Sequence, residues 1–260
     1  MMKSNKLRLG FVQSRLSNQS LERRYKTLMR HIRSLIIDGA KLILLPEIFL
    51  GSPSSKKSRS EYAAIYLAME QGLQSLAKIH DVAFYGAFYK KSTHDTYYNR
   101  AQLILPAKPF CQSYDKKHLF HFAGEHKIYT AGTQDKLFQS PWGKLAPLIC
   151  YDIRFPEQLR KLVFKGAKIA LVTAQWPSSR VEHWLTLLKA RAIENQVFVF
   201  ACNIRGHKDS LIFNGHSCVI SPWGEMLFLL KNQATGIVDV DLSLIDKIRR
   251  EYPFLKDAKL

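Results

Sequence analysis

The sequence predicts an α/β fold in which helices cover the faces of mixed β-sheets. Short apolar runs of strand length alternate with helically spaced segments through both halves of the chain, which favours strand–helix–strand units. Turn residues at 106–109 and 222–224 connect apolar runs directly, which indicates hairpins and therefore antiparallel pairs in the sheets. Because the chain has no internal repeat or long linker, we expect a single domain over residues 1–260.

The first half of the chain is predicted to alternate strands and helices. Apolar residues at 21, 25, 28, 32, 35 and 36 have helical spacing, and Gly39 marks the end of that helix. Ser60 is the candidate N-cap of the next helix. Buried-type apolar runs predict the strands. Strands are expected over 7–13, 41–45, 82–89, 101–105 and 110–114, and helices over 21–38 and about 61–80.

The second half continues the same alternation. The segment 51–60, GSPSSKKSRS, is the most loop-like stretch of the chain, either a solvated loop or a mobile lid beside a site at the preceding strand end. Strands are expected over 145–150, 169–173, 197–202, 217–221, 226–230 and 237–240, and helices over 155–165, 179–196 and about 242–251.

The composition is that of a globular protein with an unusually basic charge. Apolar residues make up 47% and charged residues 23%, which excludes disordered, collagen-like and coiled-coil proteins. The formal net charge is +18, but the positive residues lie in short, dispersed groups. No helix-turn-helix, zinc-finger or aromatic RNA-binding pattern accompanies them. We therefore expect a basic surface that attracts small anionic substrates, and no functional nucleic-acid partner.

Cysteine usage and hydropathy indicate a cytoplasmic protein. Four cysteines, at 111, 150, 202 and 218, are too few and too widely spaced for a disulfide scaffold, a zinc ribbon or a thioredoxin-type site. No apolar run approaches the ~18 residues that would indicate a membrane span. The N-terminal apolar stretch is interrupted by Arg8 and is too short for a signal-peptide core. We expect reduced thiols and no membrane partner.

Cys150 is the first candidate for chemistry. In LAPLICYDIRFPE it ends an apolar strand and precedes a polar stretch that leads into a helix. A nucleophile at such a strand-to-helix turn is exposed at the sheet edge, near backbone N–H groups that can bind an oxyanion. A buried cysteine with a purely structural role is the alternative, and it is what we expect for the other three cysteines.

Glu47 and Lys116 are candidates for the base and the cation that a thiol nucleophile needs. Glu47 follows a buried strand and a proline in KLILLPEIFL, where burial would make it a better base; a surface glutamate is the alternative. Lys116, in SYDKKHLFHFAGEH, can stabilise developing negative charge; a polar loop is the alternative. His118, His121 and His126 match no metal-ligand template, so we expect no metal.

Three segments of the chain, LLPEIF, YDKKHLF and LICYDIRFPE, resemble the signature segments of the nitrilase (carbon–nitrogen hydrolase) superfamily, which carry its Glu-Lys-Cys triad. They occur in the order of that family. The resemblance extends to 9–13, 183–203 and 215–225, and so covers nearly the whole chain. AGEHKIYTAG and TAQWPSSRVEHW are most similar to the omega-amidase branch, which hydrolyses the terminal amide of 2-oxoglutaramate and 2-oxosuccinamate.

The resemblance implies a four-layer α-β-β-α sandwich that pairs into a homodimer and uses neither a metal nor an organic cofactor. It implies that Glu47, Lys116 and Cys150 are catalytic, with Glu125 as a second, substrate-positioning glutamate. Such an enzyme would hydrolyse a small anionic amide, a dicarboxylate monoamide such as 2-oxoglutaramate, through a thioester and release ammonia.

Four further residues are expected to bind the substrate. Tyr151 would contribute its backbone N–H to the oxyanion. Arg154 would either bind a substrate carboxylate through its planar guanidinium or pair with an acid such as Glu157 to hold the turn. Trp176 resembles the family's pocket wall, and Phe122 is a candidate for the pocket lining. Packing in the core is the alternative for both aromatic residues.

Two other functions stay open at this stage. The same catalytic residues serve hydrolases of N-carbamoyl amino acids, small aliphatic amides and nitriles, which differ in their pocket residues. The other possibility is an inert basic binding protein that uses its surface for nucleic acid or a protein partner. The intact Glu-Lys-Cys set argues against inertness.

Overall fold

Two six-stranded β-sheets lie face to face in the computed structural model of the chain. The structure describes residues 6–53, 55–94, 96–107 and 111–259. In chain order the elements are β1 (Lys6–Val12), β2 (Arg15–Leu16), α1 (Leu21–Ile37), β3 (Leu42–Glu47), α2 (Arg59–His80), β4 (Ala83–Lys91), β5 (Tyr97–Ile104), β6 (Gln112–Asp115), β7 (Phe138–Ser140), β8 (Gly143–Ile149), α3 (Pro156–Phe164), β9 (Ala167–Ala174), α4 (Val181–Asn195), β10 (Phe198–Asn203), β11 (Arg205–Lys208), β12 (Leu211–Asn214), β13 (Ser217–Ile220), β14 (Met226–Leu230), β15 (Thr235–Asp241) and α5 (Ser243–Glu251).

Both large sheets are mixed, as the sequence predicts. The first has the strand order β15-β1-β3-β4-β5-β6, and the second has the order β14-β13-β10-β9-β8-β7. In each, three central strands run parallel: β1, β3 and β4 in the first sheet, and β8, β9 and β10 in the second. The outer strands add antiparallel pairs. A small third sheet has the order β12-β11-β2.

The chain forms the four-layer α-β-β-α sandwich that the resemblance implies. Alternate residues of the central strands point in opposite directions: in β3, Leu42 and Leu44 face the second sheet, whereas Ile43 and Leu45 face the helices. Helices α1 and α2 cover the first sheet, and α3 and α4 cover the second. Because both faces of these strands are buried, they appear in the sequence as unbroken apolar runs.

The helix ends follow from local chemistry. The hydroxyl of Ser20 accepts a hydrogen bond from the Arg23 backbone N–H at 3.3 Å and caps α1. Helix α2 begins at Arg59, so the predicted N-cap at Ser60 was wrong and the loop-like segment is shorter than expected. Helix α3 begins at Pro156, where a missing N–H removes no helical bond. Among the described helices, we find none with the length and apolarity to cross a membrane.

The sequence prediction missed the strands that are not apolar. Strands β11 and β12 form a hairpin of mostly exposed or half-buried residues, so no apolar run in the sequence predicts them. Strand β5 begins four residues before the predicted 101–105, because its polar first half pairs with β4. Of the predicted strand 110–114, residue 110 lies outside the described residues, and β6 covers Gln112–Asp115.

The two sheets are joined by hydrogen bonds close to the end of β3. The pairing of β3 with β4 shifts register between Leu44 and Glu47, next to Pro46, which has no N–H to donate. The Leu45 carbonyl instead accepts a hydrogen bond from the Thr173 hydroxyl of β9 at 2.9 Å. This contact fixes the end of β3, and therefore Glu47, relative to the second sheet.

We predict that Thr173→Val lowers the free energy of unfolding by about 1–2 kcal/mol, because it removes a buried donor from the Leu45 carbonyl at nearly constant volume. Urea denaturation measures the change. Thr173→Ser, which keeps the hydroxyl, is the matched control and should retain more stability than the valine variant. Equal stability of the valine variant and the wild type would contradict the role of this bond.

Candidate active site

Cys150 lies at a strained turn between β8 and α3. It begins a short 3-10 turn over Cys150–Arg154 and has a left-handed backbone conformation with φ of 46°. This conformation costs a non-glycine residue about 1–3 kcal/mol, so it persists only where the surrounding structure enforces it. The turn thus directs the side chain away from the strand, as the sequence pattern predicts for a nucleophile.

The buried carboxylate of Asp152 enforces this turn. One oxygen accepts hydrogen bonds from the Ile149 backbone N–H and the Tyr114 hydroxyl, both at 2.9 Å. The other oxygen accepts from the backbone N–H of His118 at 3.1 Å and lies 2.8 Å from its Nδ1. Since Tyr114 and His118 flank Lys116 in sequence, Asp152 ties the cysteine turn to the segment that carries the lysine.

Lys116 is fully buried between two carboxylates. Its Nζ lies 2.8 Å from Oε1 of Glu47 and 2.8 Å from Oε1 of Glu125, and its exposed fraction is 0%. Burial acts to lower the pKa of Lys116, but attraction to Glu47 and Glu125 outweighs it and holds this pKa well above its ordinary value. The ammonium is therefore a permanent positive charge.

Two residues that sequence reasoning missed complete the surroundings of Glu47. The Asn99 side-chain amide donates to Oε1 of Glu47 at 2.7 Å, and the Gln175 backbone N–H donates to Oε2 at 2.8 Å. Asn99 lies in the unpredicted half of β5, and Gln175 follows the end of β9. A polar residue directly after a buried strand was the only sequence signal for Gln175.

Glu125 is positioned by the short helical turns that follow Lys116. Its Oε2 accepts the backbone N–H of Phe120 at 2.8 Å, while Oε1 faces the lysine. Burial raises the pKa of Glu125, and the attraction of Lys116 opposes this increase only in part. Glu125 therefore holds the ammonium of Lys116 from the side opposite Glu47.

These groups lie at a cavity of about 450 Å³. Glu47, Glu125 and Cys150 all contribute to its lining. Aromatic side chains form much of the wall, and the turn between β11 and β12 closes one side. Two cations, Arg180 and Lys208, also line the cavity, as does the carboxylate-bearing Asp209 beside Lys208. The aromatic residues are Phe120, Phe122, Tyr129 and Phe213. The volume suits a small molecule.

Comparison with known proteins identifies the family. The model of the carbon-nitrogen hydrolase family matches residues 8–250. The chain belongs to the carbon–nitrogen hydrolase family. It is 38% identical over 189 residues to a 2-oxoglutaramate amidase of Bacillus subtilis, a match that covers 72% of this chain and 73% of that protein. It is 34% identical over 227 residues to the omega-amidase YafV of Escherichia coli, covering 85% and 86%.

The fold comparison agrees. A CN-hydrolase superfamily protein from Xanthomonas campestris superimposes with a TM-score of 0.87 at 27% identity, over 98% of both chains. The nitrilase resemblance and the sandwich predicted from it are therefore confirmed. This carbon–nitrogen hydrolase is an enzyme that acts on carbon–nitrogen bonds.

The expected substrate-binding residues lie in different places around the site. Phe122 lines the cavity and is 90% exposed. Tyr151, Arg154 and Trp176 are not among the described residues that form the lining. The Arg154 guanidinium lies 4.9 Å above the Trp176 ring, and Tyr151 packs on Phe120. Their contact with the substrate stays a prediction.

The histidines beside Lys116 have other contacts. His118 is bonded to Asp152 and stacks on the Phe155 ring at 3.9 Å, while His121 and His126 stack on each other. Within the described ranges, we find no group of three metal-ligating side chains. Of the other cysteines, Cys202 and Cys218 are buried within β10 and β13, and Cys111 is half-buried beside β6. Burial raises the pKa of Cys202 to about 12.

The Cys150 thiol is neutral in the resting site. Burial raises its pKa well above the ordinary value, and the negative charge of Glu47 adds to this effect while Lys116 opposes it. A preformed thiolate is therefore disfavoured, and a nucleophilic role for this thiol would require a base to activate it.

We predict that the free enzyme shows no thiolate plateau near neutral pH. The rate at which methyl methanethiosulfonate modifies Cys150 should rise about tenfold per pH unit between about pH 7 and 9, because a raised pKa keeps the thiolate fraction small and proportional to hydroxide. Peptide mass spectrometry separates Cys150 from the half-buried Cys111. A rate that levels off below about pH 8 would show a preformed thiolate instead.

Proposed function

We propose that this carbon–nitrogen hydrolase is a cysteine-dependent amidohydrolase that cleaves the terminal amide of small dicarboxylate monoamides such as 2-oxoglutaramate. The observation that carries the proposal is the buried Lys116 ammonium held between Glu47 and Glu125, two carboxylates that line one cavity together with Cys150. Relatives named 2-oxoglutaramate amidase and omega-amidase support the substrate class.

In the first half of the reaction, Glu47 takes the proton from the Cys150 thiol and the sulfur attacks the amide carbon. A carbon–sulfur bond forms, and the carbonyl electrons move to oxygen. Two of the three Lys116 N–H donors are directed at Glu47 and Glu125, so one stays available for the oxyanion. The backbone N–H of Tyr151 is the second proposed donor.

In the second half, Glu47 passes the proton to the amide nitrogen, the carbon–nitrogen bond breaks and ammonia leaves. The acyl group remains on Cys150 as a thioester. Glu47 then takes a proton from water, and the hydroxide attacks the thioester carbon. The carbon–sulfur bond breaks, the product acid is released and the sulfur regains its proton from Glu47. One carboxylate thus acts in turn as base and acid.

Glu125 is proposed to act through Lys116 and at the substrate. It shares the ammonium with Glu47 and is fixed by the Phe120 backbone N–H. Because it also lines the cavity, its carboxyl group can receive a hydrogen bond from the amide N–H₂ of a bound substrate.

The cations in the cavity support an anionic substrate. In the described parts of the chain, the Arg180 guanidinium makes no ion pair and lies 5.9 Å from the Phe120 ring centre. Lys208 is held by the Ser52 hydroxyl at 3.1 Å. A carboxylate at the far end of a monoamide would be bound by these cations while its amide reaches Cys150. Neutral amides and nitriles have no carboxylate for Arg180 and Lys208 to bind.

We also propose that residues 1–260 form a single carbon–nitrogen hydrolase domain. The match over residues 8–250 and the shared core of the two sheets support this proposal. The homodimer that the resemblance implies, and the cytoplasmic location that the composition indicates, stay predictions.

We predict release of ammonia from 2-oxoglutaramate and 2-oxosuccinamate, with slower release from glutamine, asparagine and an N-carbamoyl amino acid. Cys150→Ala should abolish turnover because no acyl-enzyme can form. Glu47→Gln and Lys116→Met should lower kcat by about 10²–10³-fold or more, since each removes a group that acts in the transition state.

Two results would contradict this assignment at different levels. Appreciable turnover by Cys150→Ala would remove the proposed nucleophile. Cysteine-dependent cleavage of an N-carbamoyl amino acid or a nitrile, without turnover of the keto-amides, would keep the mechanism and replace the substrate. A lack of activity on all of these compounds, with salt-sensitive binding of nucleic acid, would favour the inert binding protein.

We predict that Arg180→Ala raises KM for 2-oxoglutaramate about tenfold or more and leaves the hydrolysis of a neutral aliphatic amide unchanged, because only the keto-acid amide has a carboxylate to bind. Arg154→Ala is the matched comparison, since Arg154 stacks on Trp176 and does not line the cavity. An effect confined to Arg154→Ala would assign the carboxylate to the arginine that the sequence indicated.

A further inference from the structure

A second cavity, of about 370 Å³, is lined almost entirely by positive and neutral polar groups. It lies between helix α1 and the paired strands β2 and β11, and it shares no lining residue with the catalytic cavity. Neither aspartate nor glutamate is among the described residues of its lining. The cavity, here called the arginine pocket, has five arginines in its lining, Arg15, Arg23, Arg24, Arg30 and Arg205, with His31 beside them.

The fold brings these cations together from distant parts of the sequence. Arg23, Arg30 and their neighbours recur at spacings of three and four residues, so they share one face of α1. Arg15 and Arg205 are directly paired in the parallel register of β2 and β11. Like charges opposite each other in neighbouring strands are destabilising, so this pair is unfavourable without a counter-charge.

The pKa shifts of two pocket residues reflect burial first and like-charge repulsion second. Burial lowers the pKa of Arg205, and the charge of Arg15 lowers it further. Burial also lowers the pKa of His31, and the charges of Arg30 and Arg205 add to that shift. The protein itself supplies no carboxylate to these groups within the described part of the lining.

Several hydrogen-bond donors of the pocket are unused. In the described structure, the guanidinium groups of Arg15, Arg23 and Arg30 make no hydrogen bond or ion pair. Ser14 is only 7% exposed, lines the same cavity and has a buried hydroxyl without a partner among the described residues. A buried hydroxyl that is left unpaired destabilises the fold, and a bound hydrogen-bond acceptor would remove that cost.

Arg24 gives the pocket a rigid base. Its guanidinium donates to the Leu50 carbonyl at 2.6 Å and to the Tyr62 hydroxyl at 3.0 Å. The Arg24 side chain can take this position only because residue 51 is glycine. The φ of Gly51 is +87°, and a β-carbon there would lie 2.6 Å from Arg24 Nη1. The Arg24 side chain is thus preorganised, and its Nε atom is also buried with no hydrogen-bond partner in the part of the chain that the structure describes.

We propose that the arginine pocket binds a small molecule that carries a pyrophosphate or longer polyphosphate group. Planar guanidinium groups bind phosphate oxygens in pairs, and several of them neutralise a multiply charged anion. The cavity has the size of a small-molecule site, whereas a nucleic-acid duplex requires an extended basic surface. Free pyrophosphate and a nucleoside triphosphate share this chemistry.

Isothermal titration calorimetry of the full chain at low ionic strength tests the proposal, with pyrophosphate and ATP as separate probes. The pocket variant is Arg15→Gln/Arg30→Gln, because both side chains are exposed and unbonded. The control is Arg33→Gln/Arg250→Gln, which removes the same charge from exposed residues outside the pocket. We expect saturable one-to-one binding to the wild type and the control, and a loss of at least about tenfold in affinity for the pocket variant.

The comparison of probes identifies the source of the phosphate. Tighter binding of ATP would point to a nucleotide, and equal affinities would point to the phosphate groups alone. Without ligand, the pocket variant should melt no lower than the wild type, since it loses only like-charge repulsion. An equal loss of affinity in the control, absence of saturable binding of either probe, or saturable binding of a DNA duplex alone would overturn the proposal.

Discussion

The buried ion pairs of the Lys116 ammonium are the interaction on which the candidate active site depends. Taking a charge out of water is costly by several kcal/mol, and a buried ion is tolerated only where partners surround it closely. Here one cation faces two carboxylates, so their oxygens require further donors. Asn99 from β5, the Gln175 backbone beyond β9 and the Phe120 backbone provide them. If any one of these three donors is removed, a carboxylate oxygen loses a hydrogen bond that the other donors do not replace.

This requirement explains why the site lies where the edges of both sheets meet. Glu47 ends β3 in one sheet, whereas Cys150 and Gln175 follow strands of the other. Neither sheet alone could surround the lysine. Asp152 then links the position of Cys150 to that of Lys116, because its four contacts hold the left-handed Cys150 turn and the segment around Lys116 together. A displacement of one would therefore displace the other.

The sequence predicted those parts of this arrangement that have a local signal. Strands buried on both faces appear as apolar runs, and the proposed triad of Glu47, Lys116 and Cys150 stands next to such runs in recognisable segments. Asn99 and Gln175 have no such signal, because their role depends on which carboxylate the fold places beside them. The hairpin of β11 and β12 was missed because its residues face solvent or the cavities and not the core. Ser58, which precedes α2, makes no side-chain capping hydrogen bond, so no cap chemistry marks the start of this helix in the sequence.

The strongly basic charge takes on a physical meaning once the two cavities are compared. Strand β11 begins at Arg205 in the arginine pocket and ends at Lys208 in the catalytic cavity, a span of about 10 Å. Phe49 lines the first cavity and its neighbour Ile48 lines the second. Repulsion between Arg15 and Arg205 acts on the strand pair that anchors this wall. An anion bound as proposed would relieve this repulsion in the strand pair whose far end lines the other cavity.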